Sequence, residues 1–281
     1  MEIPNKVTVV GLLSENNVEI RQKDGRNYIS GNFKVQVAND SIIQINVFSY
    51  ELTKDGKANP AYVSIKNLKE KGISLASVNG DASRASKIRM NNGRLEENLF
   101  VSRITGKLIS GLRISGSFFN VGGIIEENKA TFLNTIYITN IREETNLIGE
   151  LTGRLIVDGA IKQYNRYDVL PFIVETPKSI EYVTQHWSKG DTVSISGKIV
   201  NKTVREEIPV EEVFDGGFGE PDEEVRTSSK TELIITAGGE PKDEEFALPE
   251  EEVKNGLIDR QRRIDERVEK AQSQFSIESD F

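Results

Sequence analysis

Aromatic and cationic side chains recur on the polar phase of apolar-rich segments, a pairing suited to one kind of chemistry. Rings can stack on unpaired bases while ammonium and guanidinium groups hold phosphates. In SIIQINVFSY side chains alternate faces, so Ile43, Ile45 and Val47 share one face and Gln44, Asn46, Phe48 and Tyr50 the other. Phe48 and Tyr50 are therefore aromatics on a polar face, open as stacking platforms or covered by the long segment that follows. By the same phase Lys34 points away from Phe33, Val35 and Val37, and Arg113 away from Leu112 and Ile114. Residues 51–106 add a basic run that includes Lys54, Lys57, Arg84, Lys87, Arg89 and Arg94. Further along, Arg154 opposes Leu151 and Leu155, and Lys198 and Lys202 lie outside the Val193, Ile195 and Ile199 face. The turn KQYNRYD groups Tyr164, Arg166 and Tyr167, both residue types at one place. Tyr137, in phase with Thr135 and Thr139, is a stacking or a packing residue.

Other chemistries are poorly served. With no cysteine and one histidine, His186, the chain has no disulfides, thiolate zinc sites or thiol nucleophiles. Its many carboxylates sit beside no recognisable nucleophile, phosphate loop or metal-ligand spacing, so no enzyme, cofactor or metal site is expected. The acids between Glu206 and Glu224 surround FDGGFG; they lack the EF-hand spacing and read as calcium ligands, a mimic of nucleic acid, or a solvated loop. Trp187, the one tryptophan, lies near Tyr182 and Val183 on an expected helix and reads as core.

The net charge of -8 hides a strong asymmetry. Residues 1–140 carry 18 Lys and Arg against 13 Asp and Glu, whereas 240–281 carry 7 against 13. Nine acids fall between Glu206 and Glu224 alone, so acid is concentrated in one loop and one tail. No apolar run reaches membrane-spanning length and MEIPNKVTVV lacks a signal-peptide layout, so a soluble cytoplasmic protein that meets no membrane is expected.

Strands must position these groups. VTVVGLL (7–13), GNFKVQVAN (31–39), SIIQINVFSY (41–50), KLISGLRISGSFF (107–119) and TFLNTIYITNI (131–141) are rich in β-branched or aromatic residues and bounded by turn formers. Between the third and fourth, 51–106 reads as a basic insertion with a short helix and a hairpin around MNNGR. A second set follows: 147–157, 167–175, 191–200 and 231–239, with a helix in KSIEYVTQHWSKG ended by Gly190. Strands, a helix, then strands describe a five-stranded Greek-key barrel, the OB fold.

NKVTVVGLL (5–13) closely resembles the opening strand of bacterial and phage single-stranded-DNA-binding proteins. SKGDTVSISGKIV (188–200) is similar to that family's fourth strand, LTGRL (151–155) to its first and TELIITAGG (231–239) to its fifth. The ending FSIESDF resembles their acidic tips, which finish in Phe. The resemblance implies an all-β fold of two tandem OB barrels with short helices and an acidic C-terminal tail, partly helical or disordered. The domains expected are 1–143 with the insertion 51–106, 144–239 with an acidic loop at 206–226, and the tail 240–281. It also implies sequence-independent single-stranded DNA binding in replication, recombination or repair, in a bacterial host cytoplasm if the chain is phage-encoded. Phe275, Ile277, Asp280 and Phe281 would recruit replication or recombination proteins. Single-stranded RNA binding, or structural docking in a phage assembly, are the alternatives.

Overall fold

The alternation in SIIQINVFSY survives intact in the computed structural model: it forms β3 (Ser41–Tyr50), with Ile43, Ile45 and Val47 buried and Phe48 and Tyr50 exposed. The structure describes residues 4–102, 106–146, 148–208 and 224–278, and the side chains of these except at 202–208, 224–229 and 273–278. Two strands precede β3. β1 (Asn5–Lys23) and β2 (Arg26–Ala38) form a hairpin whose turn residues Asp24 and Gly25 both take positive φ, 50° and 73°, as a tight hairpin of this hand requires. After β3 come α1 (Pro60–Lys71), β4 (Lys87–Val101) and β5 (Leu108–Ser115). α1 starts where Asn59 accepts the Ala61 backbone N–H, with proline at its first position.

These strands close a ring. β1 pairs with β2, β2 with β3 and β4 with β5, β4 returns to β1, and β3 meets β5 in parallel at Asn46 and Ser115. Tyr62, Ile65 and Leu68 of α1 are buried against the ring interior. A second ring repeats the plan with β7 (Lys129–Thr145), β8 (Leu151–Lys162), β9 (Tyr167–Val174), β10 (Thr192–Ile208) and β11 (Glu224–Gly238). Here β9 and β11 make the parallel contact, at Ile173 and Ile234, and α2 (Pro177–His186) occupies the place of α1. Each ring thus has the OB strand order, with its helix between the third and fourth strands. Trp187, next after α2, is 4% exposed, and its indole N–H donates to the Gly239 carbonyl at 3.0 Å, so it packs as core. A ladder between β1 and β7 joins the rings, and their buried apolar residues form one continuous cluster.

Several strand assignments differ from the sequence reading. MNNGR is no hairpin: β4 runs straight through it, and the register against β1 slips there by a bulge. Asn92 takes the left-handed φ of 54° that a turn would also use, and a Cβ on Gly93 would lie 2.2 Å from Met90 Cε. Residues 51–106 are therefore not an insertion, since they supply α1 and the fourth strand. The segment 107–119 divides into β5 and a short β6 (Phe118–Val121) on the outer edge of β4. TFLNTIYITNI is the first strand of the second ring, because β7 pairs with β8 and β10 as well as β1. LTGRL accordingly lies on the second strand, β8.

The C-terminal region also departs from a free tail. α3 (Glu250–Glu278) lies against β9 and β4, one strand from each ring. Leu248 and Val253 are buried with Tyr137, Ala160 and Tyr167.

Candidate nucleic-acid interface

On the outer face of β2 and β3 three rings gather. Phe48 is 53% exposed and Tyr50 42%, and Tyr28 lies 5.7 Å from Phe48 and 6.2 Å from Tyr50 between ring centroids. The register places Tyr28 opposite Tyr50. Sequence reasoning passed over Tyr28, although it shares the outward phase of Ser30 and Lys34 against buried Ile29 and Phe33.

From this face a groove of about 1140 Å³ runs between the rings. β3 contributes Asn46 and Phe48, β4 Arg94 and Glu96, and β5 Arg113 and Ser115. Phe118 borders the same side, while Lys162, Gln163 and Tyr164 from the turn between β8 and β9 form the opposite wall, with Lys6 also lining the groove. Phe118 is 48% exposed and Tyr164 95%, so with Phe48 three exposed rings border the groove. Phe118 and Phe119 point oppositely, and Phe119 packs against Phe33 at 5.3 Å. Among the described residues no carboxylate pairs with Lys6, Arg94 or Arg113. Glu96 accepts from the Ser115 hydroxyl at 2.8 Å, and Lys162 is paired with Glu252 at 2.6 Å. The hydrogen bond from Lys162 holds the Glu252 carboxyl below its usual range. The Tyr164 turn is anchored through Gln163, whose amide donates to the Leu95 carbonyl at 2.7 Å. Asn5 fixes the same point, donating to that carbonyl and accepting the Leu95 N–H, each at 3.1 Å. Of the groove residues, Lys6, Phe118, Lys162 and Gln163 were not singled out from sequence.

Other expected contacts lie elsewhere. Arg154 is turned inward: its guanidinium donates to Glu144 at 2.5 and 2.8 Å and to Glu232 at 3.1 and 3.2 Å. The Glu232 hydrogen bonds, then those of Glu144, raise its pKa further. Burial acts to raise Glu144, yet hydrogen bonds from Arg154 and Thr152 hold it below the ordinary carboxylate range. With four donors committed to two buried carboxylates, Arg154 is a structural residue. Tyr167 is 3% exposed beneath α3, and burial, then the Glu252 carboxylate, push its phenol pKa up. It stacks on nothing outside. Arg166 is held bidentately by Asp168 at 2.9 and 3.2 Å. Of Tyr164, Arg166 and Tyr167, only Tyr164 borders the groove.

Lys34 pairs with Glu15 at 2.9 Å and Lys198 with Glu175 at 3.1 Å, both half-exposed on outer faces. Lys87 and Arg89 bind the Glu126 carbonyl and carboxylate beside β6. Lys54 and Lys57 are exposed in the loop that follows Tyr50, and Arg84 is exposed in the turn that precedes β4. None of these borders the groove. Tyr137 is buried, packing against Leu248 and Val253. The Lys202 side chain lies outside the described residues, as do those of Phe275 and Ile277, and Asp280 and Phe281 altogether. The acidic segment is partly strand, since β10 reaches Ile208 and β11 resumes at Glu224, and 209–223 lie outside the described residues. Among the described residues there is no cluster suited to a metal ion, and no helix is long and apolar enough to cross a membrane.

The two rings define a tandem OB-fold protein of the architecture found in single-stranded-DNA-binding proteins. A deletion and substitution variant of the single-stranded DNA binding protein from Thermus aquaticus superposes with a TM-score of 0.51 at 13% identity, covering 89% of this chain and 98% of that one. The wild-type form gives 0.48 at 13% identity, covering 86% and 95%. No curated protein matches in sequence. Residues 3–270 match the family model described as YorF, and the chain belongs to the YorF family.

Proposed function

We propose that this chain binds single-stranded DNA without sequence preference, along the groove between its rings. The observation that carries the reading is the combination of three exposed rings, Phe48, Phe118 and Tyr164, with three cations, Lys6, Arg94 and Arg113, that pair with no carboxylate among the described residues, in one groove. Ring faces are usable only by bases that are not already stacked in a duplex, each stack contributing about 1–3 kcal/mol. Since every base has a flat face and the cations meet phosphates, such a surface does not discriminate sequence. The architecture shared with the Thermus aquaticus protein, itself a single-stranded DNA binding protein, favours DNA over RNA as the strand held. Coating and protecting exposed strands in replication, recombination or repair requires no catalysis.

The strand pairing supports dividing the chain before Lys129, at the start of β7, into two OB units. The segment from residue 240 onward then serves both. Recruitment of replication or recombination proteins is assigned to Phe275, Ile277, Asp280 and Phe281 on their sequence pattern, an apolar tip with adjacent negative charge suited to a basic-rimmed pocket. Titration of fluorescent oligonucleotides tests the ligand class: a single strand should bind more tightly than a duplex of the same length, and equal or absent binding at low salt overturns the proposal.

A further inference from the structure

The two walls of the groove are stitched together from behind. Side chains alternate along β4, so Glu96 faces the groove and Glu97, next to it, faces away. The Glu97 side chain is 1% exposed and receives Arg260 of α3 bidentately, Nε to Oε2 at 2.7 Å and Nη2 to Oε1 at 2.5 Å. On the other wall, Asp168 lies just beyond the Tyr164 turn, held by Arg166, and accepts the Glu97 backbone N–H at 3.2 Å. Glu97 of the first ring, Asp168 and Arg166 of the second, and Arg260 of α3 therefore form one cluster of two acids and two bases beneath the groove.

Neighbouring contacts run the same way. Arg263 donates to the Tyr167 carbonyl at 3.1 Å, and Arg267 to the Leu99 carbonyl, so α3 grips β9 and β4 in turn. Gly256 lets the helix lie this close, since a Cβ there would meet Tyr167 Cδ2 at 2.3 Å.

We propose that Arg260 is a positioning residue for the groove: it fixes the Glu97 carboxylate, whose Oε2 also accepts the Val169 N–H at 3.5 Å and whose backbone N–H donates to Asp168, and so holds the Tyr164 wall at the distance where a strand spans both rings. This rests on reading the groove as the single-strand site. Removing Arg260 leaves the buried Glu97 carboxylate with only two neutral donors, the Ser110 hydroxyl at 2.9 Å and the Val169 N–H at 3.5 Å, an uncompensated charge that the protein escapes most readily by parting the walls. Phe48, wholly within the first ring, keeps its place when that happens, whereas Tyr164 is uncoupled from it.

The test is a pair of cycles on the full chain, with dissociation constants for a fluorescent oligothymidylate long enough to cover both rings. In the otherwise native protein, Tyr164→Ala and Phe48→Ala should each weaken binding about tenfold. In an Arg260→Met background Phe48→Ala should still cost about tenfold while Tyr164→Ala costs less than about twofold. A residue with only a structural role would lower the melting temperature and leave both ratios unchanged. Equal Tyr164→Ala effects in the two backgrounds, or no effect in the native one, overturn the proposal. Should Arg260→Met yield no soluble protein, Arg260→Lys, which keeps a charge beside Glu97 but cannot hold it bidentately, carries the same cycle, and the Tyr164→Ala cost should again fall while that of Phe48→Ala does not. Failure of the native protein to bind the oligothymidylate at low salt would instead refute the single-strand reading.

Discussion

Replacing Phe48 with alanine separates a binding residue from a packing residue, because the two roles have different magnitudes here. The ring is 53% exposed and contacts Tyr28 and Tyr50 at centroid distances of 5.7 and 5.2 Å. Complete burial of a Phe side chain is worth about 1.5–3 kcal/mol, so about half of that is at stake for folding. A loss of about 1 kcal/mol lowers the melting temperature of a domain of 150–250 residues by about 2–4 °C. Stacking on one base contributes about 1–3 kcal/mol, so binding should weaken by roughly fivefold to more than a hundredfold. Fluorescence anisotropy with a labelled oligothymidylate reads the affinity, and thermal unfolding followed by circular dichroism reads the stability. An unchanged affinity together with a fall in melting temperature well beyond 4 °C would make Phe48 part of a satellite core and not a stacking residue.

Trp187→Ala should destabilise the second ring by about 3–5 kcal/mol through the cavity left beside Tyr182 and Gly238, measured by chemical denaturation, with DNA affinity of the folded fraction unchanged. Arg154→Met removes the four guanidinium hydrogen bonds to the buried Glu144 and Glu232 carboxylates, leaving Lys230 at 3.8 and 3.5 Å as a weaker partner, and should cost up to about 3–5 kcal/mol at pH 7. Because Glu144 has a depressed pKa in the folded protein, its stabilising contribution is present above the unfolded value of 4.5 and is lost as pH falls through the folded one. Denaturation across pH should therefore show the Arg154→Met deficit shrinking on acidification, and a deficit independent of pH would contradict the network. Deleting residues 273–281 should keep or modestly strengthen DNA binding while abolishing capture of replication partners in pull-downs; identical partner sets would refute recruitment by the tip.

Local periodicity made much of the fold legible. The outward phase of Phe48 and Tyr50, the core role of Phe33 and Trp187 and the helix between β9 and β10 all follow from alternation and turn chemistry. Asn92 and Gly93 misled because a left-handed residue beside glycine serves a hairpin turn and a bulge equally well. The fourth strand of the first ring was hidden by that ambiguity. Arg154 and Tyr167 could not be placed from their neighbours: one is claimed by Glu232, 78 residues away, and the other by Glu252, 85 away. Arg260 reads as a solvated helix charge until Glu97, 163 residues earlier, is brought beneath it. Tyr28 and Phe118 carried a readable signal, since each is an aromatic directly out of phase with a buried neighbour or an inward-packed one.

Strand binding along the groove is tested by comparing single-stranded DNA, duplex DNA and RNA of one length over a series of salt concentrations. With the groove cations Lys6, Arg94 and Arg113 each meeting a phosphate and about 0.7 counterions released per phosphate contacted, single-strand affinity should fall with a log–log salt slope of about -2. Single-stranded DNA should be held more tightly than duplex at every salt concentration. Equal affinity for both forms, or no salt-dependent binding of the single strand at all, would rule out the groove as a single-strand site.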